Sequence, residues 1–399
     1  MKLSAGWKMK AIGDISDVAG GIQKGPHREA AANPVRYLTV AHVQRNRLRL
    51  DDPRYFEVTS AELDRWRLLK GDVLIIEGNG SADQIGRTAL FRGEIADCVH
   101  QNHVIRVRPY HDEVSGEYLN SLMNSSVGQV SVQLQSSTSS GLRTLSVGKI
   151  REMFFPLPPL SEQRKIAEIL STWDEALEKL DALIEAKERS KKALMRQLLT
   201  GQRRLKGFSQ SWLTTKLETL FTERVEQGRA DLPLLSITSD RGIVPRGDVA
   251  KRDSSSEDKS KYLRIAPGDI GYNTMRMWQG VSALSALEGI VSPAYTICTP
   301  KDRIDGRFAA HFFKLRHTIH LFHRYSQGLV DDTLNLKFPS FAVIEVSIPS
   351  DLDEQRLIAD ILDTADQELT VLRNQRATLD QQKRGLMQRL LTGKVRVNI

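Results

Sequence analysis

The sequence predicts an α+β protein in which two β-rich globular domains are joined by two long helices that pair as an antiparallel coiled coil with pseudo-twofold symmetry. Three observations support this architecture. A 40-residue segment occurs twice without a gap, at 162–201 and 354–393, and 18 of the 40 aligned pairs are identical. Both copies have the apolar spacing of a helical seam. Each follows a block of about 150 residues in which short, alternating apolar and polar runs predominate.

The repeated segments are predicted to be the helices. Their apolar residues are spaced alternately four and three apart, the 3.5-residue average of a coiled coil. No proline interrupts them, Ser161 and Asp353 are candidate N-caps, and Gly201 and Gly393 are expected to end them. The predicted seam residues are Ile166, Leu170, Trp173, Leu177, Leu180, Ile184, Leu194, Leu198, Ile358, Leu362, Leu369, Leu372, Leu379, Leu386 and Leu390, with Ala365 at one further position. The polar interruptions are Lys187, Lys191, Arg376 and Lys383.

An apolar seam of this length must be covered, and the sibling copy is the obvious partner. Two alternatives are that each helix packs on its own globular domain and that the pair serves only for dimerisation. The predicted domains are 1–158, a first globular domain; 159–205, the first repeat helix; 206–350, a second globular domain; and 351–399, the second repeat helix.

The two globular blocks share features at their ends and diverge between them. Trp7 and Trp212 open similar stretches, and each block contains Gly-Asp before an apolar run, "KGDVLII" and "PGDIGYN". A helix is expected in each block, near 117–124 and 307–325. Joining the chain ends would nearly reproduce the linker between Gly201 and Trp212, so we expect the termini to lie near each other.

The bulk composition is typical of a cytoplasmic globular protein. It is 40% apolar and 27% charged, and no apolar run is long enough to span a membrane or to serve as a secretion signal. Cys98 and Cys298 alone make neither a disulfide framework nor a metal-ligand cluster. The net charge of +8 permits a polyanionic partner without requiring one.

The sequence contains no recognisable catalytic pattern. It has no GxxxxGK[ST] phosphate loop, and the glycine-rich 77–86 lacks the helix and acidic residue of a dinucleotide site. "DPRY" at 52–55 is best interpreted as a turn. His317, His320 and His323 could be metal ligands, but steps of three drift around a helix and arginines flank them, so a polar, partly basic face is favoured. The chain is predicted not to be an enzyme and to have no metal site.

Positive charge is concentrated in three stretches. Residues 24–49, 187–206 and 303–324 contain six, eight and five Lys or Arg residues, each against a single acidic residue. One such run is usually a solvated face, but a run in each of two duplicated blocks favours phosphate contacts. Polar and planar residues between them suit base edges. The candidate DNA-binding residues are Lys24, Arg28, Arg45, Arg47, Asn79, Ser81, Gln84, Gln101, Asn102, His103, Arg143, Asn273, Thr274, Arg276, Trp278, Gln279, Tyr295, Arg324 and Lys337.

These features together resemble a known family. Two variable blocks separated by near-identical helices, with "PLPPLSEQRKIAEIL", "LLTG", "YNTMRMWQG" and "GIVSPAYTI", are similar to the specificity subunits of type I restriction–modification systems over essentially the whole chain. The first block lacks the "NTMRMWQG" signature. The second helix also departs from the first, with "RNQR" at 373–376 and Gly385 in place of the alanine at 193.

The resemblance implies that each globular block is a target recognition domain for one half of a bipartite double-stranded DNA site. It implies that the coiled coil sets the spacer and docks two methyltransferase subunits and, with them, two restriction/translocase subunits. No cofactor would be bound by this chain; S-adenosylmethionine, ATP and Mg²⁺ would be bound by the partners. The alternatives are a stand-alone methyltransferase or nuclease, and a coiled-coil scaffold without DNA readout.

Overall fold

The computed structural model describes residues 4–29, 32, 34–78, 84–136, 144–239, 241–249 and 258–399. The chain divides into two compact units, Met1–Asp181 with Asn374–Ile399, and Ala182–Arg373. Each unit therefore contains one globular block together with part of each long helix. None of the helices among the described residues is long and apolar enough to span a membrane.

The first unit is built mainly on antiparallel strands, with β3 and β9 as a parallel pair. The strands are β1 (Lys8–Ala11), β2 (Ser16–Ala19), β3 (Pro34–Leu38), β4 (Val43–Gln44), β5 (Arg47–Leu48), β6 (Tyr55–Glu57), β7 (Val73–Ile76), β8 (Thr88–Leu90), β9 (Val99–His100), β10 (Val104–Pro109) and β11 (Phe154–Leu157). The helices are α1 (Ile12–Ile15), α2 (Ser60–Trp66), α3 (Gly116–Asn124), α4 (Ser126–Ser136) and α5 (Val147–Arg151), followed by the long helix α6 (Leu160–Leu198).

The second unit follows the same plan. The strands are β12 (Leu213–Lys216), β13 (Phe221–Glu223), β14 (Leu235–Thr238), β15 (Gly242–Pro245), β16 (Leu263–Ile265), β17 (Ile270–Asn273), β18 (Ser282–Leu284), β19 (Gly289–Val291), β20 (Tyr295–Pro300) and β21 (Glu345–Ile348). The helices are α7 (Gly306–Phe312), α8 (Arg316–Tyr325), α9 (Phe338–Ala342) and the long α10 (Leu352–Leu390).

The sheet order shows the duplication directly. The main sheet has the strand order β2-β10-β7-β8 in the first unit and β13-β20-β17-β18 in the second. In each unit the first strand of the globular block also pairs with the last, β1 with β11 and β12 with β21. The units differ in their smaller sheets: β6-β3-β9 and β4-β5 in the first, β14-β15 and β16-β19 in the second. The fold class predicted from the sequence is confirmed.

The shared Gly-Asp motif has the same structural role in both units. Asp72 and Asp269 are buried just before the central strands, and Arg108 and Arg224 each bind one of these carboxylates with two hydrogen bonds of 2.7–3.1 Å. A buried carboxylate needs such a partner, because removing a charge from water without compensation costs several kcal/mol. The motif therefore anchors the loop that enters each sheet.

The long helices pair antiparallel within each unit. In the first unit, the start of α6 and the end of α10 bury Ile166, Leu170 and Leu390; in the second, the end of α6 and the start of α10 bury Leu198, Ile358 and Leu362. The remaining predicted seam positions are buried or half-buried. Apolar spacing of three and four places these residues on one helix face, so the face that each helix buries is the one its sequence predicts.

All four polar interruptions form ion pairs across the helices, including Lys187 with Glu368 and Arg376 with Asp181. Lys383 pairs with Asp174 in the first unit, and Lys191 pairs with Asp366 in the second. These four residues occupy equivalent positions in the two copies of the repeat. Polar residues within an apolar seam specify register and orientation, because any other alignment would leave a partly buried charge unpaired.

Several sequence expectations need correction. The helices begin one residue before the predicted N-caps, at Leu160 and Leu352, and Asp351 caps α10 by accepting a 2.8 Å hydrogen bond from the Asp353 N–H. The single helix expected at 307–325 is two, α7 and α8, separated at 313–315. As expected, the chain ends meet: Ser4 Oγ donates to the Gly393 carbonyl at 2.9 Å.

Candidate nucleic-acid interface

The turn after β17 in the second unit presents two exposed candidate residues, Arg276 and Gln279. Asn273 Oδ1 accepts a hydrogen bond from Met275 N at 3.0 Å, and Trp278 Nε1 donates to the Met275 carbonyl at 3.0 Å. Met277 is fully buried and anchors the turn. With its interior fixed in this way, the turn leaves Arg276 and Gln279 exposed. Thr274 is buried, and its hydroxyl donates a 2.9 Å hydrogen bond to the Ala294 carbonyl.

Helix α8 and the neighbouring strand support this turn. The Trp278 ring packs edge-on against His323, with 5.8 Å between ring centroids. Gly280 adopts φ +79°, where a side chain would be strained, and its carbonyl accepts a 2.6 Å hydrogen bond from Lys314 Nζ. Tyr295 lies directly opposite Asn273 in the β17–β20 pairing. The structure therefore brings Asn273, Trp278 and Tyr295 together at one sheet end.

Two further cations of the second unit are exposed. Arg324 lies at the end of α8, and Lys337 immediately precedes α9. Arg276 approaches Asp332, with 3.8 Å between Nη1 and Oδ1. This long, exposed contact is worth little to stability, and the guanidinium can exchange it for another acceptor.

The candidate residues of the first unit divide into exposed and structural groups. Lys24, Arg45 and Arg47 are exposed, and Arg45 Nη2 donates to Gln129 Oε1 at 3.3 Å. Gln101 and Asn102 are half-buried beside β9, where their backbone N–H groups donate to Leu38 and Ile22.

Several of these side chains are already engaged within the chain. Gln84 accepts from Arg87 Nη1 at 2.7 Å, and His103 Nδ1 lies 2.9 Å from Glu77 Oε2. Asn79, Ser81 and Arg143 lie outside the described residues.

Arg28, another candidate DNA-binding residue, is bound within the chain. Its guanidinium binds Glu62 with two hydrogen bonds of 2.9 and 2.6 Å and also donates to the Glu57 carbonyl. The hydrogen bond from Arg28 lowers the pKa of Glu62 to about 2. A bidentate pair that also holds α2 in place is a structural contact, so Arg28 is committed to the fold.

The histidines at 317, 320 and 323 are exposed on α8, and no group of three or more potential metal ligands comes together in the described part of the chain. His323 packs on Trp278, while His317 and His320 face the end of α6.

Sequence reasoning missed why the repeat begins with Glu-Gln. Glu162 and Glu354 are buried at the starts of α6 and α10, where Arg396 and Arg204 each bind one carboxylate with two hydrogen bonds of 2.6–2.8 Å. Arg204 and Arg396 are themselves 192 positions apart, so the duplication extends beyond "LLTG". Because Glu162 and Glu354 are separated by the same 192 positions, this common offset is the sequence signal that could have indicated the Arg–Glu pairs.

The neighbouring glutamines join the helices to the globular blocks. Gln163 accepts from the Ser115 N–H and donates to the carbonyls of Glu113 and Pro158, all at 3.0 Å. Gln355 makes the equivalent three bonds, to Asp305, Arg303 and Pro349, at 2.8–3.1 Å. Each glutamine thus holds the loop that precedes α3 or α7 against a long helix.

Replacing Arg276 or Gln279 by alanine is expected to weaken recognition by the second unit by roughly 1–3 kcal/mol for each side chain that bonds a base edge. Both side chains are exposed, so the fold and the assembly with partners should be unchanged. Methylation of target and single-base-variant duplexes by the assembled complex measures the effect. Exposed Lys70→Ala in the first unit is the control, and unchanged methylation by the Arg276 and Gln279 variants would identify these side chains as scaffold.

Comparison with known proteins agrees with this geometry. A family model described as "Type I restriction modification DNA specificity domain" matches residues 4–188. A Methanocaldococcus jannaschii protein named as the putative type I restriction enzyme MjaX specificity subunit is 22% identical over 418 residues, covering 98% of this chain and 94% of its own length.

Two solved structures share the fold over nearly the whole chain. One, from a study of complex assembly in a type I R-M system, has a TM-score of 0.57 at 17% identity and covers 99% of this chain and 100% of its own. The other, a type I restriction–modification S subunit from M. genitalium, has a TM-score of 0.60 at 14% identity and covers 98% of each chain. Residues 4–188 thus match the type I restriction modification DNA specificity domain, and over nearly its whole length the chain is similar to the specificity subunits of type I restriction–modification systems.

Proposed function

We propose that the two globular blocks, 1–158 and 206–350, each read one half of a bipartite, asymmetric DNA target. The observation that carries this proposal is the duplicated plan. The same main sheet and the same Glu-Gln helix joint occur in both units, yet the exposed residues around the two sheets differ. Two domains with the same fold but different exposed residues suit a chain that recognises two different sequences on one DNA duplex.

The paired helices α6 and α10 set the length of the unread spacer and dock two methyltransferase subunits, and with them two restriction/translocase subunits. The helices expose apolar side chains that a partner could cover: Leu183, Leu357 and Val371 are 43%, 45% and 63% exposed. The chain itself binds no cofactor. S-adenosylmethionine belongs to the methyltransferase, ATP and Mg²⁺ to the restriction subunit, and the complex acts in the cytoplasm.

Exchange of one block tests the assignment of half-sites. Residues 206–350 are replaced by the corresponding block of another specificity subunit, and the chimera is co-expressed with its methyltransferase. Long-read methylation sequencing should show a new second half-site, with the first half-site and the spacer length unchanged, because α6 and α10 are retained.

The reciprocal exchange of residues 1–158 is the matched control and should change only the other half-site. A change of both half-sites by either exchange would contradict independent reading. An assembled complex that binds no DNA would favour a scaffold, and S-adenosylmethionine binding by the purified chain alone would favour a stand-alone enzyme.

A further inference from the structure

The structure sorts the basic residues at the end of α6 into two groups. Lys187, Lys191 and Arg204 are paired with Glu368, Asp366 and Glu354 of α10, so they belong to the helix pair. Lys192 and Arg196 point to the opposite face and are exposed, and their side chains have neither a hydrogen-bond nor an ion-pair partner among the described residues.

The basic stretch of the second block also contains both a residue paired with α10 and, among the described residues, an unpaired, exposed one. Arg307 is bound by Asp360 and Asp363 of α10, with Nη1–Oδ distances of 2.6 and 3.3 Å. Arg316, the first residue of α8, is exposed, and its side chain likewise has no partner in the part of the chain that the structure describes. The unpartnered cations of two stretches more than 100 positions apart therefore come from the same unit.

Three of these cations, Lys192, Arg196 and Arg316, converge on one open concavity between the end of α6 and the start of α8. Arg203, Lys206 and Arg303 are also exposed but do not line it. Lys192, Arg196, Lys314, Arg316, His317 and His320 line it, and no acidic residue does so among those described. Lys314 forms part of its wall. Burial, with a smaller effect from the Lys191 charge, lowers the pKa of Lys314 to about 8. Like charges gathered without a counter-charge destabilise the folded chain, and a bound polyanion would reverse that cost.

The first unit keeps one of these cations at the equivalent positions and lacks the others. Because the repeats are offset by 192 residues, Lys192 corresponds to Arg384, which is paired with Asp380, and Arg196 corresponds to Gln388. Helices α4 and α8 follow α3 and α7 in the same order, so Arg316, the first residue of α8, corresponds to Ser126, the first residue of α4. Counting from the same helix starts, His317 and His320 correspond to Val127 and Val130. The concavity is thus a charged feature of the second unit and not a consequence of the shared fold.

Helix α8 connects the concavity to the candidate base-reading turn. Arg316, His320 and Arg324 follow one another at steps of four, which places them along one side of the helix. The eight-residue step from Arg316 to Arg324 spans about 12 Å. The far end of the same helix packs on Trp278 through His323. A polyanion bound at the concavity would therefore run toward the turn that presents Arg276 and Gln279.

We propose that this concavity binds the sugar-phosphate backbone of duplex DNA without regard to sequence and holds the second half-site more firmly than the first. This proposal rests on the proposed function, which places the target DNA at the turn with Arg276 and Gln279. It adds a phosphate-binding surface that is present in the second unit, differs from the first unit, and contacts no base.

The test uses the complex of the full chain with its methyltransferase. The triple variant Lys192→Gln, Arg196→Gln, Arg316→Gln is compared with a control of equal charge change, Arg54→Gln, Arg229→Gln, Arg356→Gln. Each control arginine is paired with a nearby aspartate. Affinity for a target duplex and for an unrelated duplex is measured across a salt series, and assembly is checked by size-exclusion chromatography.

The triple variant should bind both duplexes roughly tenfold more weakly, and the slope of log affinity against log salt should become shallower by about 2–3, since each phosphate that is no longer neutralised reduces the slope by about 0.9. The methylated motif should not change. Unaltered affinity and slope would overturn the proposal, as would an equal effect of the control. Loss of methyltransferase binding would assign the concavity to an acidic protein surface instead. The two proposals can fail separately. If the wild-type complex bound the target and the unrelated duplex equally, sequence-specific recognition would be contradicted. If the triple variant still showed the shallower salt slope, the phosphate-binding surface would be supported.

Discussion

The Leu177→Pro variant is expected to lose assembly with the methyltransferase. Leu177 is 7% exposed and lies in the interior of the 39-residue helix α6. Proline there removes a backbone donor, and its ring clashes with the preceding turn, at a cost of about 3 kcal/mol or more. Loss of the buried leucine side chain adds roughly 2–5 kcal/mol. Together these costs are comparable to the whole stability of a typical domain.

Circular dichroism, thermal unfolding and co-purification with the methyltransferase measure the result. Leu160→Pro is the matched control, because the first position of a helix tolerates proline and its fixed φ. It should retain both helix content and assembly. A Leu177→Pro chain that still forms an active methylating complex would argue against the paired helices as the docking element.

The Gln163→Ala and Gln355→Ala variants should each destabilise one unit by about 3 kcal/mol. Each substitution leaves three backbone groups without their hydrogen-bond partner, and each of these bonds is worth about 1 kcal/mol. For units of this size the expected fall in Tm is roughly 6–12 °C. Both glutamines are at most 2% exposed, so water cannot replace them without local opening.

Gln367→Ala, an exposed position on α10, is the control and should change Tm by no more than a degree or two. Because the two networks are equivalent, the two variants should give similar shifts. A shift no larger than that of the control in either variant would show that the glutamine does not hold the globular block to the helix.

The parts of the fold that sequence could predict are those set by local periodicity and by the internal repeat. The seam from Ile166 to Leu390 follows from the spacing of apolar residues along single helices, so no knowledge of tertiary contacts is needed. Trp7 and Trp212 could be matched from sequence, and the structure explains why. Gly393 and Gly201 adopt φ of +68° and +70°, and a Cβ added at either would lie 3.3–3.4 Å from the tryptophan ring.

The parts that sequence could not predict depend on long-range pairing. Arg28 looks like any exposed arginine until α2 brings Glu62 to it. Lys191 and Lys192 are adjacent in sequence, yet only the helix pairing shows that the first is bound by Asp366 and that the second faces away. The break between α7 and α8 lacks glycine and proline, so no local signal marks it.

The methylation pattern of DNA in cells that express this chain with its methyltransferase tests the central claim most directly. Long-read sequencing should reveal one motif of two different specific halves, separated by a fixed unread gap, with adenine methylated in it, and the motif should disappear when this chain is omitted. A verified complex that methylates no new motif, or methylates one continuous site without a gap, would contradict the account of one chain carrying two readers.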